Sequence, residues 1–247
     1  MQGSHIAYKP NHNCIEIDVT YACNLRCHNC NRSSTQLPAG ENISVEQIEK
    51  FVEESKKKNR KWKKIRILGG EPTLHPHIFD ILDILLSYKK EFYSKTKIIL
   101  VTNGYGAKVN KVIEQIPKGI TIENSAKQSP IQLFATFNVA PADLEQYADA
   151  DYSRGCPIPR YCGIGLNRYG YYPCSVGGGI DRVAGFGIGR SSLPDGNDDM
   201  KDELRMLCQN CSHFKWDNSK SNQEVMSESW KEIYERSKRK KPVIPLY

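Results

Sequence analysis

The chain reads as an α/β protein built on a parallel sheet with helices outside it. Two observations predict this class. Short strand-like runs recur through the first half, at Ile15–Thr20, Lys64–Leu68, Ile98–Val101, Thr121–Glu123 and Gln132–Phe137. Segments of helical periodicity separate the first of them, and a β-α-β-α order of this kind predicts parallel strands joined by outer helices.

The elements follow in order. Ile15-Glu-Ile-Asp-Val-Thr20 alternates as a strand does and leads into the run Tyr21-Ala-Cys-Asn-Leu-Arg-Cys-His-Asn-Cys-Asn31. Ser44-Val-Glu-Gln47 is a capping box, with Ile43 and Ile48 placed as a hydrophobic staple, so a helix starts there. Ile48, Phe51 and Val52 mark its buried face. Lys64-Ile-Arg-Ile-Leu68 is the second strand and ends in Gly69-Gly70-Glu71-Pro72. A second helix is expected from about Pro76 to Lys90, buried through Ile78, Ile81, Leu82 and Leu85. His75 and His77 resemble a ligand pair, but Pro76 between them reads better as the first turn of that helix. Ile98-Ile-Leu-Val101 ends in Thr102-Asn103-Gly104, and a shorter helix covers roughly Lys108 to Gln115. Helices after the fourth and fifth strands look short or absent.

Cys23, Cys27 and Cys30 have the spacing C-x3-C-x2-C. Three closely spaced thiolates on one loop can hold three irons of a cubane cluster and leave the fourth iron open, whereas structural sites and simple carriers use four ligands. A zinc site draws its ligands from two pairs, and His28, lying between two of the cysteines, cannot easily reach the same metal. A disulfide framework does not fit nine cysteines, an odd number, in a chain long enough to bury a core without staples.

These motifs resemble the radical SAM enzymes. The family's signature is C-x3-C-x2-C after the first strand of a partial (βα)6, TIM-like barrel. Its GGE motif follows the second strand, as Gly69-Gly70-Glu71 does here, and its third strand often ends as Thr102-Asn103-Gly104 does. The resemblance implies a [4Fe–4S] cluster on Cys23, Cys27 and Cys30, with S-adenosylmethionine (SAM) chelating the open iron. It implies that Gly69 and Gly70 let the backbone approach the SAM amine, supported by Glu71. Thr102, Asn103, Asn124 and Ser125 would gather at the same mouth, because sites in such barrels lie at the carboxyl ends of the strands. Asn124 or Ser125 would meet the ribose, or form an ordinary turn. One departure stands out: the family usually has an aromatic residue before the third cysteine, where this chain has Asn29. His28 would replace it by stacking, or be a solvated loop residue.

The last third changes character and holds Cys156, Cys162, Cys174, Cys208 and Cys211. Gly163 to Cys174 reads as a β-hairpin turning near Arg168-Tyr169-Gly170, with Cys162 and Cys174 nearly opposite at its open end. Asp198 is placed to cap a helix running to Leu207 and delivering Cys208-Gln-Asn-Cys211. The pattern is similar to the twitch domain, the shortened SPASM domain, which binds one auxiliary [4Fe–4S] cluster. A zinc ribbon is the alternative. The resemblance assigns Cys174, Cys208 and Cys211 as ligands and leaves Cys156 and Cys162 competing for the fourth place. The gap from Cys156 to Cys174, like that in twitch dehydrogenases of aminocyclitol biosynthesis, tips the balance to Cys156. The remaining thiol is then a small buried hydrophobe or a donor of hydrogen atoms to a substrate radical, as in some radical SAM epimerases. Cys14 is expected to be structural. Residues 1–150 are expected to form the barrel and 151–247 the twitch-like part with a basic tail.

The activity implied is reductive cleavage of SAM and hydrogen abstraction from a small polar substrate, giving dehydrogenation or epimerisation. No peptide-binding domain is recognisable before Cys23, which favours a small molecule over a ribosomal peptide. Activation of a glycyl-radical partner and a non-enzymatic metal-binding module are the other classes. Tyr147, Tyr152, Arg154 and Arg160 are candidate pocket residues, and Met1–His5 resembles a cloning remnant. The 247 residues carry a formal charge of +7. The excess clusters at Lys56–Lys64 and Arg236–Lys241. Such runs are solvated helix ends, or docking points for an acidic electron donor such as a flavodoxin or ferredoxin. Nucleic acid fits less well, since only Trp62 interrupts the basic runs as an aromatic. No apolar stretch approaches a membrane span, and free thiolates suit the reducing cytoplasm.

Overall fold

In the computed structural model, residues 8–38, 40–215 and 223–247 are described. Four strands, β1 (Cys14–Thr20), β2 (Lys64–Gly69), β3 (Lys97–Thr102) and β4 (Ile120–Asn124), run parallel, with helices α1 (Val45–Lys57), α2 (Ile78–Glu91) and α3 (Ala107–Ile113) between them. The chain then forms the short helix α4 (Pro159–Cys162) and the hairpin β5 (Ile164–Asn167) and β6 (Gly170–Tyr172). Helices α5 (Ser175–Ala184), α6 (Lys201–Cys208) and α7 (Glu228–Arg239) complete it. The sheet order is β4-β3-β2-β1-β5-β6, with only β6 antiparallel. This mixed α/β sheet is the expected class, a partial TIM-like barrel.

Register explains the core. Ile164, Ile15, Ile65, Ile98 and Ile120 sit side by side across five strands. Ile15, Ile17, Val19, Ile65, Ile67, Ile98 and Leu100 pack with Ile48, Phe51, Ile81, Leu82 and Leu85 of α1 and α2. Strand side chains alternate, so Glu16, Asp18 and Arg66 belong to the opposite face. All of β1 beyond Cys14 is buried, and its polar residues face the barrel interior because the other face is taken by helices.

Local chemistry fixes α1 as the sequence predicts: Ser44 Oγ accepts from Gln47 N and Gln47 Oε1 accepts from Ser44 N. His75 is buried, its Nδ1 accepting from His77 N and its other ring nitrogen bonded to the Ile43 carbonyl at 2.9 Å. Both nitrogens are therefore used inside the loop that enters α2.

Two expectations need correction. Gln132–Phe137 is not a strand of the sheet. That stretch instead runs beside the cysteine loop, where Arg26 N donates to Pro130 O and His28 N to Gln132 O. The strand that does join the sheet next is β5, on the far side of β1. Asp198 is not the cap of α6: the helix starts at Lys201 with Met200 as N-cap, and Asp198 Oδ1 accepts from Met200 N one turn earlier. Arg190 holds Asp198 there.

The hairpin turns at Arg168–Tyr169, as expected, but its strands extend the main sheet, so residues beyond 150 share the core of those before it. A second core forms where α5 and α7 meet, around Ile180, Val183, Trp230 and Tyr234. Among the described residues no helix is long and apolar enough to cross a membrane. Met1–His5 lies outside the described residues.

Candidate active site and cysteine clusters

A cavity of about 420 Å³ opens at the carboxyl ends of the parallel strands. Cys23, Cys27 and Cys30 line it together with Gly69, Gly70, Thr102, Asn103 and Ser125, and it continues to Glu16, Arg66 and Cys162. Its size lies within the usual range for small-molecule sites. The loop that carries the three cysteines is braced from several sides. Gly70 N donates to Thr20 O and Glu71 N to Ala22 O. A Cβ on Gly70 would stand 2.3 Å from the Ala22 carbonyl oxygen. The glycine pair thus lets β2 end against the start of the cysteine loop, in addition to opening onto the cavity.

Glu71 is fully buried and does not line the cavity. Its Oε1 accepts from Thr73 N, Thr73 Oγ1 and Thr102 Oγ1, and its Oε2 from Asn103 N at 2.8 Å. It ties the end of β2 to the end of β3. Asn103 Nδ2 in turn donates to Asn24 Oδ1 inside the cysteine loop. Asn124 is exposed and accepts from Ala126 N, whereas Ser125 reaches the cavity. Of the mouth residues named from sequence, the fold therefore brings Gly69, Gly70, Thr102, Asn103 and Ser125 to the cavity, and leaves Glu71 and Asn124 behind them.

Asn29 has a left-handed backbone (φ 55) that Asn tolerates well, and it is wholly buried. Its side chain donates to Gln223 O and accepts from Val225 N. It clips the cysteine loop to the C-terminal segment. His28 lies 3.8 Å from Glu224 rather than on the cavity. Phe134 is the aromatic residue that does line the cavity.

The other cysteines divide between two places. Cys156, Cys174, Cys208 and Cys211 line a second, narrow cavity of about 20 Å³ between α5 and α6, with Leu204, Leu207 and Phe214 around them. Cys162 does not line it; that thiol faces the first cavity. Hairpin geometry explains the split. A Cβ on Gly165 would meet Ser175 N at 2.5 Å, so the bare glycine lets the start of α5 lie against β5. Cys174 is thereby the N-cap of α5, its sulfur accepting from Gly177 N at 3.3 Å, on the other side of the hairpin from Cys162.

All nine cysteines are free of disulfides. Burial pushes the Cys23 thiol up to about 11 and the Cys27 thiol up to about 12, and the neighbouring cysteines add to both. Burial likewise raises Cys156 to about 11 and Cys174 to about 12, and holds Cys208 and Cys211 far above the usual thiol range. Buried thiols that repel one another as thiolates are what a bound cation relieves. Both donor sets fit a metal group in this sense: three sulfurs bordering an open cavity, and four enclosed by apolar side chains. Among the described residues no three His, Cys, Asp or Glu side chains already converge as ligands of one ion.

Sequence reasoning did not single out Glu16, Arg32, Arg66 or Arg182. The signal was available in β1, where acidic residues alternate with Ile and Val on a strand buried on both faces. Glu16 and Arg66 are direct neighbours across β1 and β2, with Arg66 Nη1 2.5 Å from Glu16 Oε1. Arg32, just after Cys30, donates to Ser175 Oγ at 2.6 Å and lies 3.4 Å from Asp18. Tyr147 and Tyr152 pack against Phe214 and do not border the first cavity.

A family profile described as the radical SAM superfamily matches residues 17–122, the stretch from β1 to β4 that carries the three cysteines and the glycine pair. Residues 17–122 are a radical SAM domain. Such a domain implies a [4Fe–4S] cluster and SAM. Among curated proteins, the chain is 32% identical over 93 residues to GTP 3',8-cyclase of Aliarcobacter butzleri, covering 37% of this chain and 27% of that protein. It is 34% identical over 70 residues to mycofactocin maturase MftC of Mycobacterium tuberculosis, covering 28% of this chain and 17% of that one. The matches thus span about a quarter or less of those relatives' lengths. Among solved structures, the crystal structure of BtrN in complex with AdoMet and 2-DOIA aligns with 90% of this chain and 97% of its own, at 14% identity and a TM-score of 0.47.

Proposed function

We propose that this protein is a radical SAM epimerase acting on a small polar substrate, with Cys162 as hydrogen-atom donor and a second iron–sulfur centre on Cys156, Cys174, Cys208 and Cys211. One observation carries the reading: of the five C-terminal thiols, Cys162 is the one on the cavity shared with Cys23, Cys27 and Cys30. When bound, the first cluster and SAM supply a 5'-deoxyadenosyl radical able to take a hydrogen atom from an unactivated carbon.

The chain's own residues would do the rest. Gly69, Gly70, Thr102, Asn103 and Ser125 border the space for SAM. Leu25, Leu68, Val101 and Ile158 exclude water from the reacting carbon. Burial, and then the Glu16 carboxylate, push the Cys162 thiol up to about 12, so it carries its hydrogen at neutral pH. In the quenching step the S–H bond breaks homolytically and a C–H bond forms on the substrate carbon. The sulfur then regains one electron from a low-potential one-electron donor and one proton from solvent.

Net dehydrogenation is the second reading. Ile158, Val176 and His213 line both cavities, so a substrate radical would lie one side chain away from the second cysteine set. Peptide modification draws support from the likeness to mycofactocin maturases. An acidic electron donor, flavodoxin or ferredoxin, remains part of the proposal. Lys56–Lys64 ends at the amino end of β2, away from the cysteine loop, and Lys56 and Lys58 are already in ion pairs with Glu91 and Asp195.

The test is anaerobic turnover with dithionite, SAM and candidate substrates in deuterated water. Wild type should form 5'-deoxyadenosine and place one solvent deuterium at the inverted carbon. Cys162→Ala should form 5'-deoxyadenosine without that deuterium. A product two electrons more oxidised, with no solvent label, would instead establish dehydrogenation.

A further inference from the structure

The surroundings of Cys162 raise a question of charge. Two guanidinium groups, Arg66 from β2 and Arg32 from the cysteine loop, act on its sulfur and favour the thiolate. A thiolate has no hydrogen atom to give. Burial opposes them first, and then Glu16, the buried β1 residue at 4% exposure whose carboxylate borders the same cavity. Arg66 Nη1 and Ser175 Oγ each sit 2.5 Å from one of its oxygens, and Arg32 Nη2 lies 3.5 Å from the second. Three elements thus fix the carboxylate in place. Cys162 borders the same cavity, and the Glu16 charge pushes its thiol up.

We propose that Glu16 is a positioning residue for Cys162: its carboxylate accepts the thiol hydrogen and keeps the sulfur as S–H at the cavity wall. This rests on the reading of Cys162 as the donor. Glu16 acts in two ways. Its charge offsets Arg32 and Arg66, and its lone pair orients the S–H bond. A carboxylate held between two guanidinium groups and a hydroxyl cannot swing away, so the thiol meets a fixed acceptor. Cys156, in the loop before α4, is the other titrating group that Cys162 influences.

Glu16→Gln in the reconstituted holoenzyme tests this, because the amide keeps the shape and removes the charge. The first readout is the pH dependence of Cys162 alkylation by iodoacetamide, followed by peptide mass spectrometry, with Cys162→Ser as the site control. E16Q should react at Cys162 roughly tenfold faster or more at pH 8, since each unit of thiol pKa changes the thiolate fraction tenfold. Glu16→Asp, which keeps the charge, should stay near wild type. An E16Q profile that overlays wild type, or an E16D shift as large as that of E16Q, would overturn the proposal. The second readout is solvent deuterium in the product, which E16Q should lower while 5'-deoxyadenosine still forms. The two readings fail separately. Faster alkylation in E16Q without any solvent label in wild type would sink epimerisation and support Glu16's control of the thiol. Solvent label in wild type with unchanged alkylation in E16Q would do the reverse.

Discussion

Arg182 ties the two halves of the site together, and its removal has a calculable consequence. The side chain belongs to α5, yet it reaches across to the segment after Cys30. Its Nη1 lies 3.0 Å from Glu41 Oε2, with the two side chains 1% and 4% exposed. Its Nη2 donates to the carbonyls of Arg32, Ser33 and Leu37. The guanidinium also stacks 4.4 Å from the Tyr21 ring centroid. Arg182→Met keeps much of the volume and leaves Glu41 as a buried charge. Breaking a buried pair costs about 3–5 kcal/mol. Lys241 stays 2.5 Å from Glu41 and is largely exposed, so it softens the loss toward the lower end. For a chain of this size each kcal/mol moves the midpoint by about 2–4 °C, which gives a fall of roughly 6–16 °C. The assay is a thermal scan by circular dichroism on anaerobic holoprotein at one concentration. Arg182→Lys should fall between the two, because one ammonium cannot reach Glu41 and three carbonyls together. A midpoint for R182M within about 2 °C of wild type would refute the argument, since by the same scaling it corresponds to no more than about 1 kcal/mol.

Other outcomes follow from the same geometry. Gly70→Ala puts a methyl group 2.3 Å from the Ala22 carbonyl, against backbone that cannot yield, so the cysteine loop should lose its cluster. Reconstituted iron should fall by about four per chain, and full iron would show that the contact is slack. Cys156→Ala should also lose about four irons while Cys162→Ala keeps about eight, which separates ligand from free thiol; about four irons plus one zinc in wild type would mark the second site as a zinc site. For pH, burial pushes the His75 ring below its ordinary 6.5, so it is neutral when folded. The unfolded chain takes up a proton there as pH falls below 6.5, so the folded state loses stability in that direction. Denaturant midpoints should therefore drop more between pH 7.5 and 5.5 in wild type than in His75→Gln, and equal drops would count against the assignment.

Much of this was legible in the chain because it is local. Ser44 and Gln47 cap α1 wherever the helix goes, and Cys23, Cys27 and Cys30 fall on one loop whatever surrounds them. Alternation in β1 marked a strand, and the turn at Arg168–Tyr169 marked a hairpin. The misreadings arose where a segment's partner lies far away in sequence. Gln132–Phe137 has strand composition, but its backbone partners are in the cysteine loop, so it adds no strand to the sheet. Distance in sequence also hid the partners of Asn29, which stands where the family has an aromatic residue and bonds to Gln223 and Val225. Glu71, named from its motif as a support for the SAM amine contact, accepts hydrogen bonds with both oxygens between β2 and β3.

The sequence by itself determined the superfamily, the parallel α/β order and the presence of two cysteine sets, because each rests on residue type and short spacing. Only the tertiary structure separates Cys156 from Cys162, one on each cavity. Cys156 and Cys162 are six residues apart, and no local rule separates them. The pairing of β5 beside β1, and the bare Gly165 that lets α5 start against it, turn Cys174 and Cys156 to one side and Cys162 to the other. The same pairing brings Ser175 onto Glu16, where a strand near the start of the chain and a helix near its end meet around one carboxylate.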